Sequence, residues 1–192
     1  MDDDAQPADD ATDPPGKPGG LHQMSMSFSA EDDRILFRLS TTDHVECRLW
    51  FTRRFTRVLW KALRQGFDTA PEVSAYTDPK VKDAMLAMQH HDAVQSGDFS
   101  KKFDETGENK PLDDAPLLIV GGNCTPNKGG KGTRLKFQSR EGKEIAVSLN
   151  EELLHAFCHL LAQTAAKGEW DLNMTLGGAN VFIPDETDSV IH

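Results

Sequence analysis

The sequence predicts an α+β protein built from two similar βββα units. Two observations carry this prediction. Runs of alternating or dense apolar residues, bounded by turn residues, come in groups of three, which is typical of short strands in a meander. Each group is followed by apolar residues at helical spacing, and this succession occurs twice. We therefore expect an internal duplication that forms an antiparallel sheet with helices packed on it, a helical insertion between the units and a disordered acidic N-terminus.

The first predicted unit covers residues 23–68. The runs MSMSFSA, RILFRLS and VECRLWF predict three strands, separated by the turn residues EDD and TTDH. From Thr52 onward the apolar residues follow the i, i+3, i+4, i+7 spacing of a helix that buries one stripe. Thr52 is a candidate N-cap and Gly66 a candidate end, so the predicted helix covers residues 52–66.

The second predicted unit covers residues 116–185. PLLIVGG, TRLKFQS and EIAVSLN predict strands, and a helix follows from Asn150. Aligning Asn150 with Thr52 places the apolar residues of the two helices in the same positions, although few letters are identical. This agreement favours a duplication, and the alternative is that two strand-to-helix transitions of one domain look alike. Residues 170–176 and 181–183 predict a terminal hairpin.

Two further segments have a different composition. Residues 1–22 are assigned to an acidic tail, because the first twenty residues hold six Asp, one Lys and no bulky apolar residue beyond Met1. Such a stretch buries too little apolar area to offset the entropy of ordering it. Residues 69–115 predict a helical insertion and linker, in which Asp78 caps a helix that has Pro79 at its first position. Val81, Met85 and Met88 form its expected apolar stripe.

Composition excludes several classes of protein. The chain has 192 residues and a net charge of -10. It has no apolar run of about 18 residues and no secretory signal, so we expect a soluble, cytoplasmic protein without membrane contact. Its three cysteines lack the spacing of a disulfide framework or a structural zinc site. Cys47 and Cys158 lie on apolar faces, and Cys124 lies in a predicted loop.

No motif indicates catalysis, a nucleotide or a cofactor. The loop at residues 128–133 is not a phosphate-binding loop, because Gly132 stands where that motif needs lysine and a strand follows instead of a helix. Paired-carboxylate, metalloprotease and nucleophile motifs are also absent from the sequence. We therefore expect a protein that is not an enzyme and needs no cofactor.

One pair of histidines has the spacing of metal ligands. His155 and His159 stand four residues apart on the second helix, and the helical geometry directs both away from the apolar stripe. Two imidazoles are too few ligands on their own, and Glu151 is at best a marginal third. We expect His155 and His159 to face solvent or a partner, and we expect the adjacent His90 and His91 at the surface. The sequence therefore predicts no metal site.

The most distinctive feature is the polar face of the first helix. Five cations fall within an arc of about 100°, with no acid among them and Trp60 beside them. Like charges one turn apart repel by a few tenths of a kcal/mol, so the helix itself does not explain the arrangement. The candidate partner-binding residues are Arg53, Arg54, Arg57, Lys61, Arg64 and Trp60.

Several anions could neutralise the positive charge of this helix face. They are the acidic tail or loops of the chain, an acidic protein partner, and the phosphates of a nucleic acid. An ordinary solvated face is the remaining alternative. We favour a non-catalytic binding or regulatory protein that engages an acidic or protein partner through the helix at 52–66. A further hypothesis is that the Asp-rich tail competes for the same face.

The alternative is a protein that binds single-stranded DNA or RNA. Strand meanders that are each closed by a helix resemble the whirly-like topology of single-stranded nucleic-acid binders, which implies binding through the same arginines. A second anion-binding loop would add Lys128, Lys131 and Arg134. The pI of 5.1 opposes this function, and base stacking on the sheet has few candidate rings, namely Phe28, Phe37 and Phe137. Self-association through the edge of the terminal hairpin is also possible.

Overall fold

The computed structural model describes residues 20–68, 70–96, 110–127 and 132–177. It confirms an α+β protein. The strands are β1 Leu21–Ser29, β2 Arg34–Thr41, β3 Val45–Thr52, β4 Lys110–Pro111, β5 Leu117–Pro126, β6 Thr133–Ser139 and β7 Glu144–Leu149. The helices are α1 Arg53–Asp68, α2 Pro71–Ser74, α3 Pro79–Ser96 and α4 Glu151–Lys167. None of these described helices is both long and apolar enough to cross a bilayer.

The sheet is mixed, which corrects the prediction of an antiparallel one. Its main path runs β1-β2-β3-β5-β6-β7, with the two-residue β4 also paired to β3. Both β4 and β5 run parallel to β3, and the β3–β5 junction consists of Leu49 opposite Leu117 and Trp50 opposite Leu118. The junction can be parallel because α1, α2 and α3 lie between β3 and β5 in the chain and supply the long crossover that parallel strands need. Elsewhere neighbouring strands are antiparallel.

The two strand trios, β1–β3 and β5–β7, pair with the same register. The helix caps Thr52 and Asn150 lie 98 residues apart, and adding 98 to the residue numbers of thirteen of the fifteen pairs in the first trio gives a pair of the second. The agreement extends to an irregularity. The register of β1 shifts between residues 21 and 23, and that of β5 shifts between residues 119 and 121.

The helices that follow the trios begin in the same way. The Thr52 hydroxyl accepts a hydrogen bond from the Phe55 backbone N–H at 3.2 Å, and the Asn150 side chain accepts one from that of Leu153 at 2.8 Å. Both side chains thus act as N-caps, as predicted. The predicted end at Gly66 is wrong, because α1 continues to Asp68 and buries Phe67 in the core beyond the glycine.

Aromatic rings from both trios form one shared core. The rings of Phe37 and Phe157 lie 5.3 Å apart, those of Phe51 and Phe55 5.1 Å, and those of Phe51 and Phe137 5.4 Å. α1 packs on β5 and α4 packs on β1, so that each helix covers the first strand of the other trio. This exchange of helices joins the two trios in one hydrophobic core.

The insertion contains the predicted helix but not its predicted apolar stripe. The Lys80 backbone N–H donates to the Asp78 carboxylate at 2.8 Å, which confirms the cap of α3. The buried residues of α3 are Leu86 and His90, whereas the expected Met88 is 61% exposed. Val81 is exposed as well. α3 contacts the rest of the protein along a narrow face. The residues of α3 that are buried are those that face α4.

Residues 168–177, the described part of the segment after α4, contain no strand, which corrects the prediction of a hairpin arm at residues 170–176. Trp170 is buried, and its indole N–H donates to the Asp33 carboxylate in the β1–β2 turn at 2.7 Å. Its ring meets that of Phe28 edge-on at 5.8 Å. These contacts hold residues 170–177 in an irregular path across the molecule. The second predicted arm, residues 181–183, lies outside the described residues, as do residues 1–19 of the predicted tail.

Candidate partner-binding site

The predicted cations of α1 are available at the surface. Four are exposed and Arg64 is half-buried. None of the five forms an ion pair within the described part of the chain, where the ion pairs join Arg38 to Glu46, Lys136 to Glu144 and Lys143 to Asp113. The described carboxylates therefore leave the charge of this helix face uncompensated.

Most of these cations line a cleft of about 630 Å³. One wall belongs to α1 and the other to residues 171–174, which cross beside it. Asp171 contributes the cleft's single described carboxylate, and it lies beyond ion-pair distance of every α1 cation. We call this feature the basic cleft, and its α1 wall comprises Arg53, Arg54, Arg57, Trp60 and Lys61. Arg64 is not part of the lining.

Trp60 lines the cleft together with these cations, but unlike them it is buried. Its side chain is 5% exposed, and it lines both the basic cleft and a neighbouring cavity of about 250 Å³. The indole N–H is buried and has no hydrogen-bond partner within the described residues. A buried donor without an acceptor is energetically costly, which marks this ring as an unusual element of the cleft.

Arg134, the described cation of the predicted anion-binding loop, is not part of the cleft. It is exposed on β6, and Lys128 and Lys131 lie outside the described residues. Arg48 on β3 donates to the backbone carbonyls of Asp113 and Asp114 at 2.8 and 2.9 Å, so it fixes the segment before β5. Neither Arg48 nor Arg134 adds to the charge of the α1 cleft.

The histidines expected at the surface form a buried cluster instead. His155 is 1% exposed and His90 is 6% exposed, with their Nδ1 atoms 3.2 Å apart. The His155 ring stacks on Phe67 at 4.8 Å, and the His159 ring lies 6.1 Å from that of His90. Helical geometry predicts that His155 points away from the sheet. α3 packs on that side of α4, and the His155 side chain is therefore buried between the two helices. Only His91, on the far side of α3, is exposed as predicted.

Burial keeps this cluster uncharged. Desolvation lowers the pKa of His155 to about 4. Desolvation, together with the neighbouring histidines, lowers the pKa of His90 to about 4, and burial also lowers the pKa of His159. Near pH 7 one Nδ1–H can therefore donate to the other Nδ1. Across the described residues, no group of three or more His, Cys, Asp or Glu side chains has the geometry to hold a metal ion.

The cysteines are poor nucleophiles. Cys47 and Cys158 are buried, and Cys124 lies on β5 and is partly buried, not in a loop as predicted. Burial raises the pKa of the Cys124 thiol to about 11, and burial with the nearby Asp113 and Glu46 carboxylates does the same for Cys47. Burial raises the pKa of Cys158 still further. The reactive thiolate form is therefore scarce near neutral pH.

The phenylalanines considered for base stacking are not available on the sheet. Phe37 and Phe137 are each 1% exposed in the core, and Phe28 packs against Trp170. These rings lie on the face that the helices cover. The opposite face carries Trp50, a half-buried ring that is not among the predicted site residues. Its position between Leu49 and Phe51 in an alternating strand was the available signal.

Comparison with family models, curated proteins and solved structures finds no match for this chain.

Proposed function

We propose that this protein is a non-catalytic binding or regulatory protein that engages an acidic partner through the basic cleft. The observation that carries the proposal is the exposed cations of α1, which no described carboxylate neutralises in a chain of net charge -10. Carboxylates of a partner would relieve the repulsion between these cations and form charge-assisted hydrogen bonds with them.

The composition of the cleft supports a protein partner. Arginines form its edge, while Trp60, Leu172 and Met174 supply apolar surface within it. Protein interfaces combine an apolar, often aromatic centre with a polar rim, and arginine and tryptophan are enriched among their strongest contacts. Single-stranded nucleic acid remains the alternative occupant of the same cations, but the buried phenylalanines offer it no stacking surface.

We also infer that the chain contains an internal duplication of a βββα unit. The common 98-residue offset of the two trios, the matching register shifts and the matching caps support this inference. The disordered state of the acidic tail, and its competition with the partner for the basic cleft, belong to the same proposal. Both rest on the Asp-rich composition of the first twenty residues.

A fluorescence-anisotropy titration tests the proposed function. The probes are a labelled polyglutamate peptide of about 20 residues and a labelled oligothymidine of similar length, each at low and high salt. We expect the peptide to bind, and the Arg53→Glu/Arg57→Glu variant to weaken its binding by about tenfold or more. The matched control is Lys80→Glu/Arg140→Glu, which makes the same charge change at exposed positions outside the cleft.

Two results would overturn the proposal. One is an equal loss of binding in the cleft variant and the control, which would show that the peptide binds through nonspecific electrostatic attraction. The other is binding of the oligothymidine but not of the peptide, which would favour the nucleic-acid alternative.

A further inference from the structure

α1 and α4 occupy equivalent places in the fold. Each begins directly after a trio, has a side-chain cap at its start, and packs on the first strand of the other trio. The 98-residue offset between their caps relates Arg57 to His155, and Lys61 to His159. The basic face of α1 therefore corresponds to the histidine face of α4.

On α4, this face is covered by a helix. α3 places Leu86 and His90, which are one helical turn apart, in the interior. His90 contacts His155 through their Nδ1 atoms at 3.2 Å, and its ring lies 6.1 Å from that of His159. The protein thus already shows one way to cover this position, namely with a helix that faces residues i and i+4 of α4.

On α1, the same positions are uncovered. Arg57 and Lys61 are exposed, and neither forms an ion pair within the described part of the molecule. The residue related to Trp60 is Cys158, which is fully buried, whereas Trp60 lines an open cleft and has a buried N–H with no acceptor among the described residues. The side of α1 that corresponds to the α3 contact is therefore the basic cleft itself.

We propose that the partner segment is an acidic α-helix, which docks on α1 as α3 docks on α4. This inference rests on the proposed function and deepens it by naming the kind of partner. Arg57 and Lys61 stand one helical turn apart, so a helix lying along α1 can face them with two carboxylates at i and i+4. An apolar side chain between these carboxylates would enter the cleft above Trp60.

Two labelled peptides of identical sequence test this proposal. Both have about 20 residues, with glutamates one turn apart and leucines between them, which is long enough for a peptide to form a helix. In the second peptide, two central residues are D-amino acids, which interrupt the helix without changing charge or composition. Anisotropy measures affinity, and circular dichroism of the mixture measures the helicity gained on binding.

We expect the all-L peptide to bind about tenfold or more tightly than its D-containing counterpart, because the interrupted peptide cannot present its carboxylates on one face. The Arg57→Glu/Lys61→Glu variant should abolish this preference. The control Lys80→Glu/Arg140→Glu should retain it. The melting temperature of each variant confirms that a loss of binding is not a loss of folding.

The outcomes separate the two proposals. Equal binding of both peptides, lost in Arg57→Glu/Lys61→Glu, overturns the helical mode and leaves the acidic-partner function in place. Failure of both peptides to bind the wild-type protein overturns both proposals, whether or not oligothymidine binds. A preference for the all-L peptide that survives Arg57→Glu/Lys61→Glu places the helix elsewhere and overturns the inference.

Discussion

His90 and His155 join α3 to α4 through Nδ1 atoms 3.2 Å apart, in a site that is almost closed to solvent. Neither imidazole has a described carboxylate partner, and desolvation lowers the pKa of both to about 4. The contact therefore requires at least one neutral ring whose Nδ1 accepts a hydrogen bond, and protonation of both rings would break it. This requirement makes the attachment of α3 sensitive to pH.

The first prediction concerns that sensitivity. Between about pH 6.5 and pH 4 the unfolded chain protonates these histidines and the folded protein does not, so the free energy of unfolding should decrease as the pH falls through this window. We expect a loss of about 2 kcal/mol for each of the two histidines between pH 7 and pH 5, measured by urea denaturation. His155→Phe should flatten the pH dependence, whereas His22→Gln, at an exposed position on β1, should not. An unchanged slope in His155→Phe would contradict the account.

The second prediction concerns the anchor of the segment after α4. Asp33→Ala removes the acceptor of the Trp170 indole N–H and leaves a buried donor unpaired, so it should cost about 1–3 kcal/mol of stability. Asp33→Asn keeps an acceptor oxygen and tolerates the positive φ of 48° at this position, so it should cost less. Thermal or urea unfolding provides the comparison. Equal costs for the two variants would show that the hydrogen bond is not the anchor.

The third prediction tests the equivalence of the two helix starts. Thr52→Ala and Asn150→Ala should each destabilise the protein by about 1 kcal/mol, because each removes the acceptor of a backbone N–H in the first turn. The exchanged caps, Thr52→Asn and Asn150→Thr, should stay close to the wild type. A large cost for either exchange would mean that the two caps are not equivalent.

The fourth prediction concerns the acidic tail. Deletion of residues 1–20 removes six Asp and one Lys, and it should raise the affinity of the basic cleft for the polyglutamate peptide, most strongly at low salt. The gain should disappear in the Arg53→Glu/Arg57→Glu variant. An affinity that is the same with and without the tail would remove the competition hypothesis.

Local patterns predicted the elements of this fold better than the contacts between them. Alternation and helical spacing located the strands and α4, and the caps at Thr52 and Asn150 follow from their own neighbouring residues. The position of α3 depends on its contact with His155, which lies 65 residues away from His90 in the chain. Periodicity reports which side of a helix faces the sheet, but not whether another element covers the opposite side.

For the candidate site too, the sequence predicted the local pattern but not the contacts between distant segments. The arc of cations on α1 could be derived from helical geometry, and their exposure agrees with it. The cleft itself could not be derived, since its second wall is the irregular segment at 171–174, which the sequence analysis assigned to a hairpin. Trp60 becomes a wall of this cleft only because that segment crosses beside it.

The most direct test uses the indole N–H resonances of Trp50, Trp60 and Trp170, which report on the outer sheet face, the basic cleft and the core. These resonances are assigned by single Trp→Phe variants and followed in ¹H–¹⁵N spectra while the all-L acidic peptide is added. The account predicts that the Trp60 resonance shifts, together with backbone amides of α1, while those of Trp50 and Trp170 stay in place. A shift of the Trp50 resonance with an unchanged Trp60 resonance would contradict it.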